Sequence, residues 1–377
     1  MNRRERLRAT LEGRPVDRPP VNFYEINGLD EDAANADPFN IYSDPSWKPL
    51  LDLAREKTDR IVMRSVRFRN LGSSPLDEAT ATKTEYENGS RITTRTVRAG
   101  KRTLTTRSRR DPDVNTTWVL EPLLKDAEDA RAWLQIPADE RVGEVDVQPI
   151  LKAEQQLGDS GIVMLDTGDP LCLAAAMFEL GQFTVLAMTE PQLFHRLLEW
   201  HSQALWRRTE AAAEALPGRL WRICGPEYAS PPYLPPALFR EYVVPYDEPM
   251  VRAIQRHGGF ARIHCHGKLK AILEAIAETG CTGLDPIEPP PQGDVELLEV
   301  RRAYGRQWVL FGNLEASDIE NLNSSDFERK VRRAIAEGTW GEGRGFVLMP
   351  SACPYGRKLT DRALRNYEKM VAAVEQL

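Results

Sequence analysis

Cysteine and histidine are scarce in this chain, five of each among 377 residues. Five scattered thiols in a sequence of this length do not make a disulfide framework, so the expected compartment is a reducing cytoplasm. An excess of basic charge is also missing. Lys and Arg number 50 against 56 Asp and Glu, a net charge of −6, which leaves no overall footprint for nucleic acid. No stretch approaches the ~18 consecutive apolar residues of a membrane helix. Met1 to Glu12 contains no apolar segment of the kind a secretory signal needs. Repeats and low-complexity tracts are absent as well.

What is present is the balance of a soluble globular protein, 41% hydrophobic and 28% charged. The length suits two or three ordinary domains, or one large α/β barrel of roughly 250 residues with insertions. Short β-branched or aromatic runs alternate with longer stretches of helical spacing. Apolar runs near residues 21, 61, 162, 220, 261, 284, 309 and 346 read as eight strands separated by helices. That count predicts a single (β/α)8 TIM barrel over residues 1–377, with an N-terminal arm. A doubly wound open sheet is the alternative, weakened because no Gly-rich fingerprint follows the first strand.

One region breaks the rhythm. Residues 80–118 contain three alternating runs around Asn88-Gly89, a type I′ hairpin signal, and predict an inserted antiparallel β-meander. Between Arg91 and Arg110 there are eight Lys or Arg and no acid. The charges suit a solvated edge that resists pairing, or a basic flap over a site for an anionic ligand.

In a barrel the chemistry gathers where strands end. Those positions hold Glu25, Asp166, Glu227-Tyr228, His264-Cys265-His266, Asp285 with Glu288, Asn313 with Glu315, and Cys353. Residues two apart on a strand share a face, so His264 and His266 point one way and Cys265 the other. Two lumen imidazoles can take two corners of a tetrahedral zinc site, with Cys353 and Glu227 as the remaining donors and one position exchangeable. The competing reading makes both imidazoles hydrogen-bonded core groups and Cys353 buried filler. His195, His201 and His257, with Cys172, Cys224 and Cys281, read as structural. Asp166 has a competing role as cap of the following helix, and Asp285 and Glu288 as solvation of the turn Pro289-Pro290-Pro291. Gly341-Glu342-Gly343-Arg344-Gly345 lacks the Lys-Ser/Thr ending of a phosphate loop.

Arg3-Arg4-Glu5-Arg6, then Pro15-Val16-Asp17-Arg18-Pro19-Pro20-Val21, resembles the opening of the uroporphyrinogen decarboxylase superfamily. Leu234-Pro235-Pro236-Ala237-Leu238-Phe239-Arg240-Glu241-Tyr242, with Pro245-Tyr246, resembles it again, as does the order of elements from Gly258 onward. Decarboxylases of that superfamily carry Met-Arg-Gln-Ala-Gly-Arg after the first strand. Here the stretch is Phe23-Tyr24-Glu25-Ile26-Asn27-Gly28, without either arginine. His264-Cys265-His266-Gly267 and Cys353 are similar instead to the His-x-Cys-Gly and later Cys of the zinc methyltransferase branch, the methylcobalamin:coenzyme M type, with His266 in place of a Cys.

The resemblance implies zinc held by His264, His266, Cys353 and Glu227. It implies methyl transfer between a corrinoid and a small thiol or methylated substrate, with the corrinoid on a partner protein or as free methylcobalamin. Glu227 and Asp166 are the expected catalytic carboxylates. Tyr24, Glu25, Tyr228, Glu288 and Asn313 are the expected substrate-binding set. A homodimer is expected because decarboxylase relatives are commonly dimers. A metal-free lyase and a non-catalytic ligand-binding barrel are the alternatives.

Overall fold

A computed structural model describes residues 1–377. Its centre is a curled parallel sheet of seven strands in chain order. They are β1 (Arg60–Ser65), β2 (Gly161–Gly168), β3 (Leu220–Cys224), β4 (Phe260–Cys265), β5 (Gly283–Pro286), β6 (Val309–Leu314) and β7 (Phe346–Pro350). These are short apolar runs, buried on both faces, as parallel strands with helical crossovers must be.

The alternation of side chains sorts the interior into two cores. Val62, Leu165, Trp221, Ile263, Leu310 and Leu348 point outward into a cluster of 80 buried residues beneath the helices. Ile61, Ile162, Met164, Leu220, Val309, Phe311, Val347 and Met349 point inward and form a second cluster of 11 with Tyr24, Leu7 and Leu11. Those two leucines come from α1 (Arg3–Leu11), which is capped by Asn2 and closes the N-terminal end of the lumen.

The strand expected at residues 21–25 is not a strand. Val21 makes one parallel bridge to Leu348. The Asn22 amide donates to the Leu348 carbonyl and the Leu348 amide to Pro20, both at 2.9 Å, while the Asp59 amide donates to Val21 at 2.7 Å. The physical reason is local. Pro19 and Pro20 have no N–H to give, and Tyr24 turns out of the extended region at φ 45°.

The N-terminal arm is fixed by charge. Arg6 donates to both oxygens of Asp17 (2.7 and 2.8 Å) and to Asp59 Oδ1 at 2.5 Å. Arg18 and the Val21 amide share Asp59 Oδ2, each at 3.0 Å. The arginine-rich opening and the Pro-Val-Asp-Arg-Pro-Pro segment thus meet on one fully buried carboxylate.

Residues Thr80–Glu87, Ser90–Ala99, Arg102–Arg110 and Thr117–Glu121 form a four-stranded antiparallel sheet. Asn88 and Gly89 take the two positive φ values of the tight turn. The fourth strand extends the sheet past the boundary expected at 118. Val97, Ala99 and Leu104 bury one face against the main core, and Ile92 is buried on the other. Several of the basic residues are engaged locally: Arg102 pairs with Asp129, Arg109 with Asp111, and Arg91 lies over Phe39. Val114 bridges Gly356, which fastens the end of this sheet beside the loop that carries Cys353. Arg67–Arg69 pairs antiparallel with Glu144–Asp146, and two helices, Pro170–Ala175 and Leu180–Thr189, follow β2. No helix is long and apolar enough to cross a membrane.

Candidate functional site

Along β4, Arg262 and His264 alternate with Ile263 and Cys265, and His266 follows at the strand end. Ile263 and Cys265 are buried in the outer core. His264 is 5% exposed and sits in register with Asp285 on β5. Its Nδ1 donates to Asp285 Oδ2 at 2.7 Å. The other Asp285 oxygen lies 2.9 Å from Arg262 Nε. Burial pushes the Asp285 carboxyl up, but Arg262 and His264 outweigh it and hold the group below the usual carboxylate range.

His266 repeats the arrangement two residues further on. Its Nδ1 donates to Glu288 Oε1 at 2.8 Å, and Glu288 Oε2 accepts the Gly267 amide at 2.7 Å. Burial pulls the His266 imidazole down, but Glu288 outweighs it and holds the imidazole above its ordinary value. The two rings stand 4.6 Å apart at 89°. With each Nδ1 committed to a carboxylate, each Nε2 is the nitrogen left to act. His264 Nε2 lies 3.5 Å from the Tyr24 hydroxyl, and the two rings stack at 5.8 Å.

A second group surrounds Arg222 on β3. Its Nε donates to Asp166 Oδ1 at 2.6 Å, a terminal nitrogen donates to the Tyr24 hydroxyl, and Glu25 Oε1 lies 3.5 Å away. Glu25 Oε2 in turn accepts the Cys353 thiol at 3.4 Å. Burial, then Glu25, pushes that thiol up to about 12. A continuous polar chain therefore runs Cys353–Glu25–Arg222–Tyr24–His264. A cavity of ≈ 300 Å³ opens beside it, lined by Tyr24, Glu25, Met63, Met164, Arg262 and Met349 among others, within the size range of small-molecule sites.

The remaining expected residues are placed as follows. Glu227 lies in the turn Pro226–Ala229 and accepts the Gly225 amide at 3.1 Å. Ser230 ties that turn to the carbonyl of His266 at 3.4 Å. Tyr228 packs edge-on against Phe183. Asn313 lines a separate crevice of ≈ 110 Å³ with Glu315, Asp318 and Lys330. There burial, with Glu288 and Asp318 nearby, pushes Glu315 up to about 7. Asp166 holds Arg222 rather than capping a helix, which falls to Asp169. His264, His266, Glu288 and Asp285 are brought together, and Tyr24, Glu25 and Cys353 join them through Arg222. No three His, Cys, Asp or Glu side chains stand at metal-holding positions.

Arg222, and Arg262 beneath the imidazoles, are the site residues that sequence reasoning passed over. The signal for Arg262 was available: two residues before His264 on a strand, it shares the lumen face by the same alternation that aligned the imidazoles.

Residues 113–377 match the model of the uroporphyrinogen decarboxylase (URO-D) family. The chain belongs to that family. No curated protein matches it. Among solved structures it is similar to a methyltransferase from Methanosarcina mazei, at 17% identity and TM-score 0.62, covering 100% of this chain and 99% of that one. That likeness speaks for a shared fold. A GH138 enzyme targeting pectin rhamnogalacturonan II aligns over 66% of this chain and 29% of its own at 11% identity, with a TM-score of 0.32. The family segment contains β2 to β7 and every expected site residue except Tyr24 and Glu25, which the N-terminal arm adds to the lumen.

Proposed function

We propose that this URO-D family protein is a zinc-dependent methyltransferase working with a corrinoid. The observation that carries the reading is the pair of lumen imidazoles, each with Nδ1 tied to a carboxylate: His264 to Asp285 and His266 to Glu288. This is the outer arrangement that metal-ligating histidines characteristically have, since it fixes the tautomer and raises the basicity of the free nitrogen. The side chains on offer are of the types zinc takes, two imidazole Nε2 atoms, the Cys353 thiol and the Glu227 carboxylate, and gathering them requires the Cys353 thiol to leave Glu25. The fold shared with the Methanosarcina methyltransferase lends the reaction type. An eight-stave closed barrel, with residues 20–22 as the last stave, is part of the same reading.

When bound, zinc supplies the Lewis acidity that turns a substrate thiol or hydroxyl into an anion near neutral pH. The chain's own residues orient and protect. Asp285 and Glu288 hold the imidazoles. Glu25 accepts a hydrogen bond from the Cys353 thiol and holds it in place. Arg222 fixes Tyr24 and Glu25 at the mouth. Ser230 bonds to the backbone carbonyls of Glu227 and His266, which ties the turn that carries Glu227 to the strand end that carries His266. The methyl group is exchanged with a corrinoid brought by a partner protein or free in solution.

Metal analysis of the purified protein tests this. About one zinc per chain is expected, lost in His264→Ala and in Cys353→Ala. Full zinc in both variants would sink the ligand set. A second reading has its own support. The lumen holds a fixed guanidinium, Arg222, beside a phenol, and the thiol stands with Glu25 rather than with the imidazoles. A metal-free lyase would use such a cation to stabilise a carboxylate or carbanion. Carbon dioxide release from a tetrapyrrole by metal-stripped protein would favour it.

A further inference from the structure

Two thiols that the proposed reaction does not use stand together at the rim of the sheet. Cys224 ends β3, and Cys172 lies in the first turn of the helix Pro170–Ala175 that follows β2. The two turns are joined by a hydrogen bond from the Asp169 amide to the Cys224 carbonyl at 2.8 Å. Gly225 and Gly168 let the chains close in. A Cβ at 225 would lie 2.2 Å from the Cβ of Cys172, and a Cβ at 168 would lie 2.9 Å from its sulfur. Gly225 also has φ 128°, open only to glycine without strain. The backbone is thus shaped to press Cys172 against the end of β3. There its side chain lies against Gly168 and Gly225, beside Cys224.

We propose that Cys172 and Cys224 form an oxidisable dithiol, closed to a disulfide by hydroperoxides and reopened by thiol reductants.

Four features support that assignment. Both residues are partly exposed, whereas Cys265 and Cys281 are buried. Cys353, the remaining thiol, is held by Glu25. Cys172, helped by the Arg222 guanidinium, outweighs burial and the nearby Asp166 and Glu227 carboxylates and holds the Cys224 thiol below its ordinary value, which is the character of a peroxide-reactive cysteine with a resolving partner beside it. The neighbouring carboxyls Asp169 and Asp247 are fully buried, and burial pushes both well above the carboxylate range, so they do not oppose a thiolate. Cys224 attacks one peroxide oxygen, the O–O bond breaks, and a sulfenic acid and hydroxide form. Cys172 then attacks the Cys224 sulfur, the S–S bond forms and the S–O bond breaks. The departing hydroxide takes the Cys172 proton as water. For hydrogen peroxide the sum is two thiols and one peroxide giving one disulfide and two waters. The bond would pin the helix Pro170–Ala175 to β3, two residues from Arg222.

The full-length protein is treated with hydrogen peroxide, denatured, and its thiols counted; tryptic peptides are then mapped without reduction. Wild type should lose two of its five thiols, regain both with dithiothreitol, and yield one linked peptide pair containing Cys172 and Cys224. Cys172→Ser should keep reacting at Cys224 but stop at sulfenic and sulfinic acid, with no disulfide. Cys224→Ser should slow the reaction at least tenfold. A disulfide mapped to any other pair, five thiols surviving in wild type, or unaltered reaction in Cys224→Ser would overturn the proposal. The wild-type peptide map decides it even if a serine variant folds poorly.

Discussion

Replacing Asp285 by alanine strands a guanidinium inside the lumen. Arg262 is 1% exposed and Asp285 0%, and their charged atoms stand 2.9 Å apart. Arg262 Nε and one terminal nitrogen have no aligned acceptor. The carboxylate charge and the Phe311 ring 4.7 Å beneath the guanidinium are therefore its compensation. At an effective dielectric of ~20, opposite charges ~3 Å apart attract by about 6 kcal/mol, most of it offsetting desolvation. Breaking such a pair from one side costs about 3–5 kcal/mol, because the survivor stays buried and unpaired. That is a large part of a total stability of about 5–15 kcal/mol. Urea unfolding followed by tryptophan fluorescence reads the loss directly. A second variant, Arg262→Met with Asp285→Ala, removes both charges and should recover most of it. A single variant within ~1 kcal/mol of wild type, or a double variant as unstable as the single, would refute the reasoning. If the zinc reading holds, Asp285→Asn should also weaken zinc binding by about 10–100-fold through the freed His264 ring.

Asp59→Ala should release the arm: Arg6, Arg18 and Val21 all lose their shared acceptor, and amide exchange at Val21 and Asn22 should rise far more than in β4. Gly225→Ala should cost more than ~2 kcal/mol in urea unfolding, since the new methyl meets Cys172 and Asp169 at a φ of 128°. His201, next to Trp200 and 3.4 Å from Met177 Sδ, is held down to about 4 by burial. The unfolded chain then carries the extra proton between about pH 6.5 and 4, so this contribution is complete above 6.5 and lost as pH falls towards 4. His201→Leu should flatten the acid limb of the stability profile by about 1–3 kcal/mol, checked by unfolding at pH 7 and pH 4.5.

The particular elements show why some of this was legible in the chain. Seven strands fell where apolar runs were found, because strands buried on both faces are mostly apolar even where a lumen position carries a polar group. The eighth misled for a definable reason: Val21 to Glu25 has strand composition, but two prolines before it and the left-handed turn at Tyr24 leave room for one bridge. The shared face of His264 and His266 follows from alternation, and so does the outward burial of Cys265. Cys353 was placed at the right strand end but without its neighbour. Its contact with Glu25 joins positions 328 residues apart, beyond any local pattern.

The sequence by itself determined the strand-helix rhythm, the antiparallel pairing after residue 80 and the facing of the two imidazoles, each set by composition or by a period of a few residues, while the family showed as a resemblance of motifs. Tertiary structure alone decided which carboxylate does what: Asp285 and Glu288 hold imidazoles, Asp166 and Glu25 hold Arg222, Asp59 holds the arm, and Asp169 caps a helix. A carboxylate's role depends on which charge or amide lies within about 3 Å of it. That distance is fixed by the curl of the sheet, which brings strand ends far apart in the chain into one lumen.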